Sequence, residues 1–185
     1  MPIITLERKI LKKNDEIANE NRNIFKKNKI FSINLLSSPG SGKTSLLERT
    51  LDNIFKEIKI GVIEGDVQTD NDARRIAKYN VPVIQIVTNG GCHLEAKLVQ
   101  DALDNFDLAK LELLIVENVG NLVCPSSFEL GTHKSVLIAS IPEGDDKPYK
   151  YPGMYRGVDV LLVNKIDLLP YIPFDMDYFL RGVEI

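Results

Sequence analysis

The segment Ser37-Ser-Pro-Gly-Ser-Gly-Lys-Thr44 stands between an apolar run, residues 30–36, and an amphipathic stretch, residues 44–55. Few local patterns constrain a fold as much. A lysine and a hydroxyl residue placed directly after spaced glycines, at a strand-to-helix junction, make the loop that wraps a polyphosphate. Gly40 and Gly42 free the backbone to turn its amides toward the phosphates, and the N-terminus of the next helix adds a favourable dipole. In this reading Ser38, Ser41 and Ser45 belong to the same cradle, Lys43 reaches the β- and γ-phosphates, and the Thr44 hydroxyl ligates Mg²⁺. Ser37 stands where the pattern usually begins with glycine, so the identification rests on Gly-Ser-Gly-Lys-Thr and on its position between strand and helix.

A phosphate loop of this kind sits on an α/β sheet, and the rest of the chain agrees. Short apolar runs recur at residues 30–36, 58–63, 81–87, 113–119, 136–141 and 158–163. They lack strict alternation, as strands covered on both faces do. Helical patterns fall between several of them, at 44–55, 70–79 and 94–106. The alternation predicts a three-layer P-loop NTPase with a mainly parallel sheet and right-handed crossovers. Residues 1–29 read as an N-terminal helical arm whose apolar face carries Ile3, Leu6, Ile10, Ile17 and Ile24. The P-loop domain then spans 30–185.

With 23 basic and 26 acidic residues the formal charge is −3, so no global basic field argues for nucleic acid. No apolar run approaches the ~18 residues of a membrane span, and the first residues lack a signal-peptide pattern. Both predict a cytoplasmic protein with no membrane partner.

Two acids sit where parallel strands present their carboxyl ends to a ligand. Asp66 follows the second apolar run and Glu117 ends the fourth. Both are expected to serve Mg²⁺ and the attacking water, with Lys43 as the third catalytic residue. Asp72 is a weaker candidate, because Thr69-Asp-Asn-Asp also starts a helix well. Base choice is read from Asn164-Lys-Ile-Asp167, directly after the sixth run. The Asp167 carboxylate accepts from the guanine N1 and N2 donors, which adenine lacks. Asn164 orients the base edge and Lys165 packs along the ring. A loop built for those donors is left unpaired by ATP.

The chain has two cysteines and two histidines. That is too few for a disulfide framework, and thiol or metal chemistry is the alternative use. Cys92 and His93 follow Gly90-Gly91 at the start of a predicted helix, where a thiolate is favoured. Cys124 lies just beyond Glu117. Both segments leave strands on one sheet edge, so the three side chains can converge on Zn²⁺ or Ni²⁺. The residues alone leave open a second reading, two small buried hydrophobes beside a helix-start histidine. His133 reads as a surface or cap residue.

Taken together, Ser-Ser-Pro-Gly-Ser-Gly-Lys-Thr, Glu64-Gly-Asp-Val-Gln-Thr-Asp, Gly91-Cys-His-Leu-Glu-Ala, Glu117-Asn-Val-Gly-Asn-Leu-Val-Cys-Pro and Pro142-Glu-Gly-Asp-Asp-Lys-Pro resemble the HypB family. Its members are GTPases for nickel insertion during [NiFe]-hydrogenase maturation. The resemblance implies the SIMIBI class of P-loop folds, shared with nitrogenase iron protein, MinD and the signal-recognition GTPases. It also implies a nucleotide- and metal-dependent homodimer, slow hydrolysis of GTP to GDP, and interfacial Ni²⁺ or Zn²⁺ on Cys92, His93 and Cys124. The implied partners are the nickel chaperone HypA and the hydrogenase large-subunit precursor. Three departures follow. No cysteine precedes Cys92, no histidine-rich stretch is present, and the family's next strand, second guanine loop and last helix would lie beyond Ile185. The expectation is therefore of a domain shortened at its C-terminus. The urease accessory GTPase is the nearest rival, but its Cys-Pro-His motif is absent. A nickel chaperone with vestigial hydrolysis and a metabolite kinase are the others.

Overall fold

The computed structural model describes residues 6–184; Ile3 and Ile185, used in the sequence reading, lie outside them. Six strands form one parallel sheet: β1 (Phe31–Ser37), β2 (Ile60–Asp66), β3 (Val83–Val87), β4 (Leu113–Glu117), β5 (Lys134–Ser140) and β6 (Val160–Asn164). Their spatial order is β3-β2-β4-β1-β5-β6. The chain leaves β1, forms α2 (Lys43–Ile54) and returns at β2, passing over the place later filled by β4. All the strands point the same way, so every strand-to-helix loop collects at one edge.

Alternation along β4 explains the layers. Leu114 and Val116 face a core containing Phe25, Leu94, Val99, Leu103 and Phe106, supplied largely by α1 (Leu6–Asn28) and α4 (Ala96–Leu103). Leu113 and Ile115 face the opposite core, where Leu47 and Leu51 of α2 meet Ile76 of α3 (Asn71–Ile76). A third cluster packs Leu36 and Leu137 beneath Met154 and Tyr155 of α6 (Pro152–Tyr155) and Phe179 of α7 (Met176–Glu184). Between β5 and α6 lies the short α5 (Lys147–Lys150). The inner strands β2 and β4 are buried on both faces and need no polar alternation, whereas the edge strand β6 exposes Val160 and Leu162.

Three differences from the sequence reading have physical causes. The face that α1 buries is Asn14, Ala18, Asn21 and Phe25, while Ile10 is exposed and Ile17 and Ile24 are half-buried. The asparagines face inward because they satisfy backbone groups. Asn14 Oδ1 accepts from Ala96 N at 2.9 Å, one of the unpaired amides at the start of α4, and Asn21 Nδ2 donates to Ala96 O at 2.9 Å and Leu130 O at 3.0 Å. α1 thus packs directly on α4. The helix over 70–79 ends at Ile76 and tightens into a 3-10 turn, Ala77–Tyr79. Finally, α4 begins at Ala96, so Cys92 lies outside the first turn, where a helix dipole acts. Among the described residues no helix is long and apolar enough to cross a membrane.

Candidate functional site

The phosphate loop joins β1 to α2 as the sequence pattern requires. Gly40 and Gly42 adopt positive φ, +75° and +100°. At Gly42 a side chain is excluded twice over, because a Cβ there would meet Asn164 Nδ2 at 2.5 Å. Lys43 is buried and donates to Ser37 Oγ at 2.9 Å. Burial lowers its pKa, and the neighbouring Glu117 carboxylate opposes that shift. Ser45 Oγ accepts from Arg75 Nη2 at 3.2 Å, and Arg75 itself is held by Glu48 at 2.6 Å and Asp72 at 3.1 Å. Asp72 and Arg75 both line the cleft in front of the loop, together with Lys43, Thr44, Asp66 and Glu117.

The acids divide into two kinds. Asp66 is tied into its own turn, accepting from Val67 N at 2.6 Å, from Thr69 N at 3.2 Å and from the Thr69 hydroxyl. Glu117 faces the loop instead. It accepts from Thr44 Oγ1 at 2.7 Å, while its second oxygen is buried with no partner. An orphaned carboxylate oxygen beside the Thr44 hydroxyl fits a hard cation, so Thr44 and Glu117 are the residues disposed to hold Mg²⁺, with Asp66 at the same cleft.

Sequence reasoning missed Glu64. It is the lateral partner of Glu117 in the β2–β4 register, 2% exposed, with one carboxylate oxygen unpaired. Burial, reinforced by the nearby Glu117 charge, pushes its pKa up to about 10; Glu117 is raised as well, chiefly by burial. Glu64 therefore keeps a proton in the folded chain that it loses in the unfolded one above its ordinary value of 4.5. Its contribution is fully present below that pH and is lost as pH rises toward 10. Glu64→Gln should raise the melting temperature of the nucleotide-free protein at pH 8 by about 2–4 °C, a gain of about 1 kcal/mol, and flatten the decline of Tm between pH ~5 and ~9. Thermal melts across that range check it; an unchanged slope would place the proton on another group.

Glu143 was also missed, although it lies in the quoted Pro-Glu-Gly motif. Its carboxylate accepts from Ser38 Oγ at 2.7 Å, from Ser140 Oγ at 2.7 Å and from the Ser41 hydroxyl, clamping the phosphate loop to the end of β5. The guanine-type loop docks on the other side. Asn164 Nδ2 donates to Ser41 O at 2.7 Å and Lys165 Nζ to Gly40 O at 2.7 Å, while Asp167 is exposed in the 3-10 turn Ile166–Leu168.

Cys92, His93 and Cys124 converge. Their ligand atoms lie within 4.8 Å of one another, and they are the one such group of three or more among the described residues. Cys92 arrives by the turn at Gly90 (φ +100°) and Cys124 opens a 3-10 turn whose amide is held by Asn121 Oδ1 at 3.1 Å. His93 packs against Phe128, and burial lowers its pKa, which favours the neutral imidazole that binds metals. Its Nε2 is buried without a hydrogen-bond partner. The two cysteines are joined as a disulfide, their Cα atoms 6.2 Å apart, where the sequence points to thiol or metal chemistry. That closeness suits a disulfide and equally two thiolates on one ion, and the two states are alternatives because metal ligation needs the thiolate. His133 is exposed and pairs with Ser32 Oγ at 2.8 Å, away from this cluster.

The model of the CobW/HypB/UreG nucleotide-binding domain matches residues 32–180. A hydrogenase maturation factor HypB from Azotobacter vinelandii is 51% identical over 175 residues, 95% of this chain and 58% of that protein. The chain thus spans under two-thirds of the length of several such relatives. A hydrogenase/urease maturation factor HypB from Helicobacter pylori is 45% identical, covering 92% of this chain and 72% of its own length. Among solved structures, HypB from Helicobacter pylori in complex with nickel superposes with a TM-score of 0.86 at 43% identity, covering 93% of this chain and 81% of that one. The signal recognition particle receptor FtsY from Elizabethkingia anophelis, at 15% identity and a TM-score of 0.60, shares the fold, covering 92% of this chain and 62% of that one.

Proposed function

Since the chain belongs to the HypB branch of the CobW/HypB/UreG family, we propose that it is a GTP-hydrolysing metallochaperone that carries nickel for hydrogenase maturation. One observation carries the reading. The segment from Glu117 to Cys124 places a carboxylate against the phosphate-loop threonine at one end and a sulfur in the Cys92–His93 cluster at the other.

In this reading Gly40, Gly42 and the α2 N-terminus receive the phosphates, and Ser38, Ser41 and Ser45 shape the loop. Lys43 neutralises charge developing on the transferred phosphoryl group. Mg²⁺, held by Thr44 and Glu117 with Asp66 at the cleft, supplies charge neutralisation on the phosphate oxygens. Asp66 and Glu117 orient the water. Asn164, Lys165 and Asp167 receive the guanine. Nickel is the cargo, with Zn²⁺ the alternative occupant of Cys92, His93 and Cys124. The protein acts as a nucleotide- and metal-dependent homodimer in the cytoplasm, takes nickel in company with HypA, and serves the hydrogenase large-subunit precursor. Residues 30–185 act as the GTPase domain, and residues 1–29 are its N-terminal helical arm, described as α1 from Leu6 to Asn28.

The nucleotide state controls the metal through that segment. Gly120 packs so closely on the phosphate loop that a Cβ would lie 3.0 Å from the Pro39 backbone, so a γ-phosphate-dependent shift at Pro39 passes to Cys124. Under reducing conditions Ni²⁺ affinity should differ by at least about five-fold between the complex with GDP and that with a non-hydrolysable GTP analogue. Equal affinities would sink the coupling, and no phosphate release from GTP in a single-turnover assay would sink the GTPase.

A further inference from the structure

The Cys92–His93 half of the metal cluster lies on a different loop from Cys124, and besides the cysteine sulfurs themselves one buried side chain of the Glu117–Cys124 segment is hydrogen-bonded to it. Asn118 follows Glu117 directly, lines the phosphate cleft beside it and is 1% exposed. Its Oδ1 accepts from Leu94 N at 3.0 Å and from Val119 N at 2.9 Å. Its Nδ2 donates to Asn34 Oδ1 at 3.3 Å, and its backbone N donates to Leu35 O at 3.0 Å, both on the strand that feeds the phosphate loop. Leu94 follows His93 immediately. A second contact seats the same residue: a Cβ on Gly65 would lie 2.8 Å from Leu94 Cδ1, so the Leu94 side chain rests on the backbone just before Asp66.

From this geometry we infer that Asn118 is the positioning residue that ties the Cys92–His93 ligands to the nucleotide end of β4. The inference rests on the nucleotide–metal coupling argued above and assigns a carrier to it. A buried amide left without an acceptor is costly, so Leu94 N must follow the Asn118 carboxamide wherever the end of β4 goes. A shift of β4 at Glu117 then moves His93 through one hydrogen bond, while Cys124 moves through the chain. The three ligands change their mutual spacing in response to one displacement.

The test compares Ni²⁺ dissociation constants under reducing conditions, in GDP and in a non-hydrolysable GTP analogue, for the wild-type chain, Asn118→Ala and Asn118→Asp. The readout is the ratio between the two nucleotide states, which a uniform loss of stability or of metal affinity does not move. In wild type the ratio should depart from unity by at least about five-fold. In Asn118→Ala it should fall within about two-fold of unity, and in Asn118→Asp, which keeps an acceptor for Leu94 N, it should stay near the wild-type value. A wild-type ratio of one defeats the coupling itself. A wild-type ratio well away from one that survives in Asn118→Ala defeats the assignment to Asn118 alone. Hydrogen exchange at the Leu94 amide of the wild-type chain needs no folded variant: protection should differ between the two nucleotide states, and equal protection overturns the inference.

Discussion

Cys124→Ala is expected to lower Ni²⁺ affinity by more than about 100-fold and to abolish most stoichiometric binding, while nucleotide still binds. Loss of an outer hydrogen bond to a metal ligand typically costs about 10- to 100-fold, so loss of a thiolate ligand itself should cost more. The substitution is clean for a structural reason. Asn121 Oδ1 holds the amides of Val123 and Cys124 at 2.7 and 3.1 Å, so the turn keeps its shape when the sulfur is removed. Cys92→Ala and His93→Ala should act in the same direction, because their donor atoms share the cluster. His133→Ala is the control: that ring bonds Ser32 and stacks on Phe31, and metal stoichiometry should not change. Equilibrium dialysis with a thiol reductant reads all four. Unchanged stoichiometry in Cys124→Ala would show that the ligand set is wrong.

Much of this architecture was readable because its signals are local. A P-loop requires a strand before it and a helix after it, and runs such as Leu113-Leu-Ile-Val-Glu117 have the length and composition of strands buried on both faces. The phosphate loop, the guanine-type loop and the Cys92–His93 turn are each contiguous, so residue type and spacing found them. What escaped was whatever depends on neighbours across the sheet. Glu64 and Glu117 lie far apart in sequence and become lateral partners only because β4 inserts between β1 and β2. Nothing in either segment encodes that insertion. Asn118 and Glu143 were visible as letters of motifs, but their roles as acceptors for Leu94 N and for the hydroxyls of Ser38 and Ser41 are set by packing.

The N-terminal helix forms as its periodicity predicts, but its buried face differs for another reason. Hydrophobic periodicity ranks isoleucine above asparagine, yet at Asn14 and Asn21 the inward positions must meet backbone groups at the start of α4 and at Glu129 and Leu130, which an apolar side chain cannot do. A purely apolar criterion therefore rotates the predicted face. That Cys92 and Cys124 converge was legible, because both loops leave strands at one edge of the sheet; that the two sulfurs pair as a disulfide was not. With two cysteines only one pairing exists, and counting alone cannot show whether it forms or the thiols hold a metal.

Asp167→Asn should move the base preference from guanine toward xanthine, weakening GTP by about 100-fold or more and strengthening xanthosine triphosphate. The carboxylate is a pure acceptor, matched to the N1–H and N2–H₂ donors of guanine. A carboxamide presents a donor where one of those hydrogens arrives, and it suits the oxygen that xanthine carries at position 2. The surrounding structure makes the comparison a fair one. Asp167 is exposed in its turn, so its replacement should change stability by no more than about 0.5 kcal/mol. The loop itself is fixed from outside that residue: Asn164 and Lys165 each donate at 2.7 Å to phosphate-loop carbonyls, and Lys165 sits at φ +58° to make the bend. The base-reading position therefore stays registered to the phosphates while its chemistry is inverted. Competition binding with GTP, ATP and xanthosine triphosphate reads the change in preference directly. A variant that keeps the wild-type order of affinities would remove Asp167 from the base site, and with it the reason for calling the nucleotide guanine.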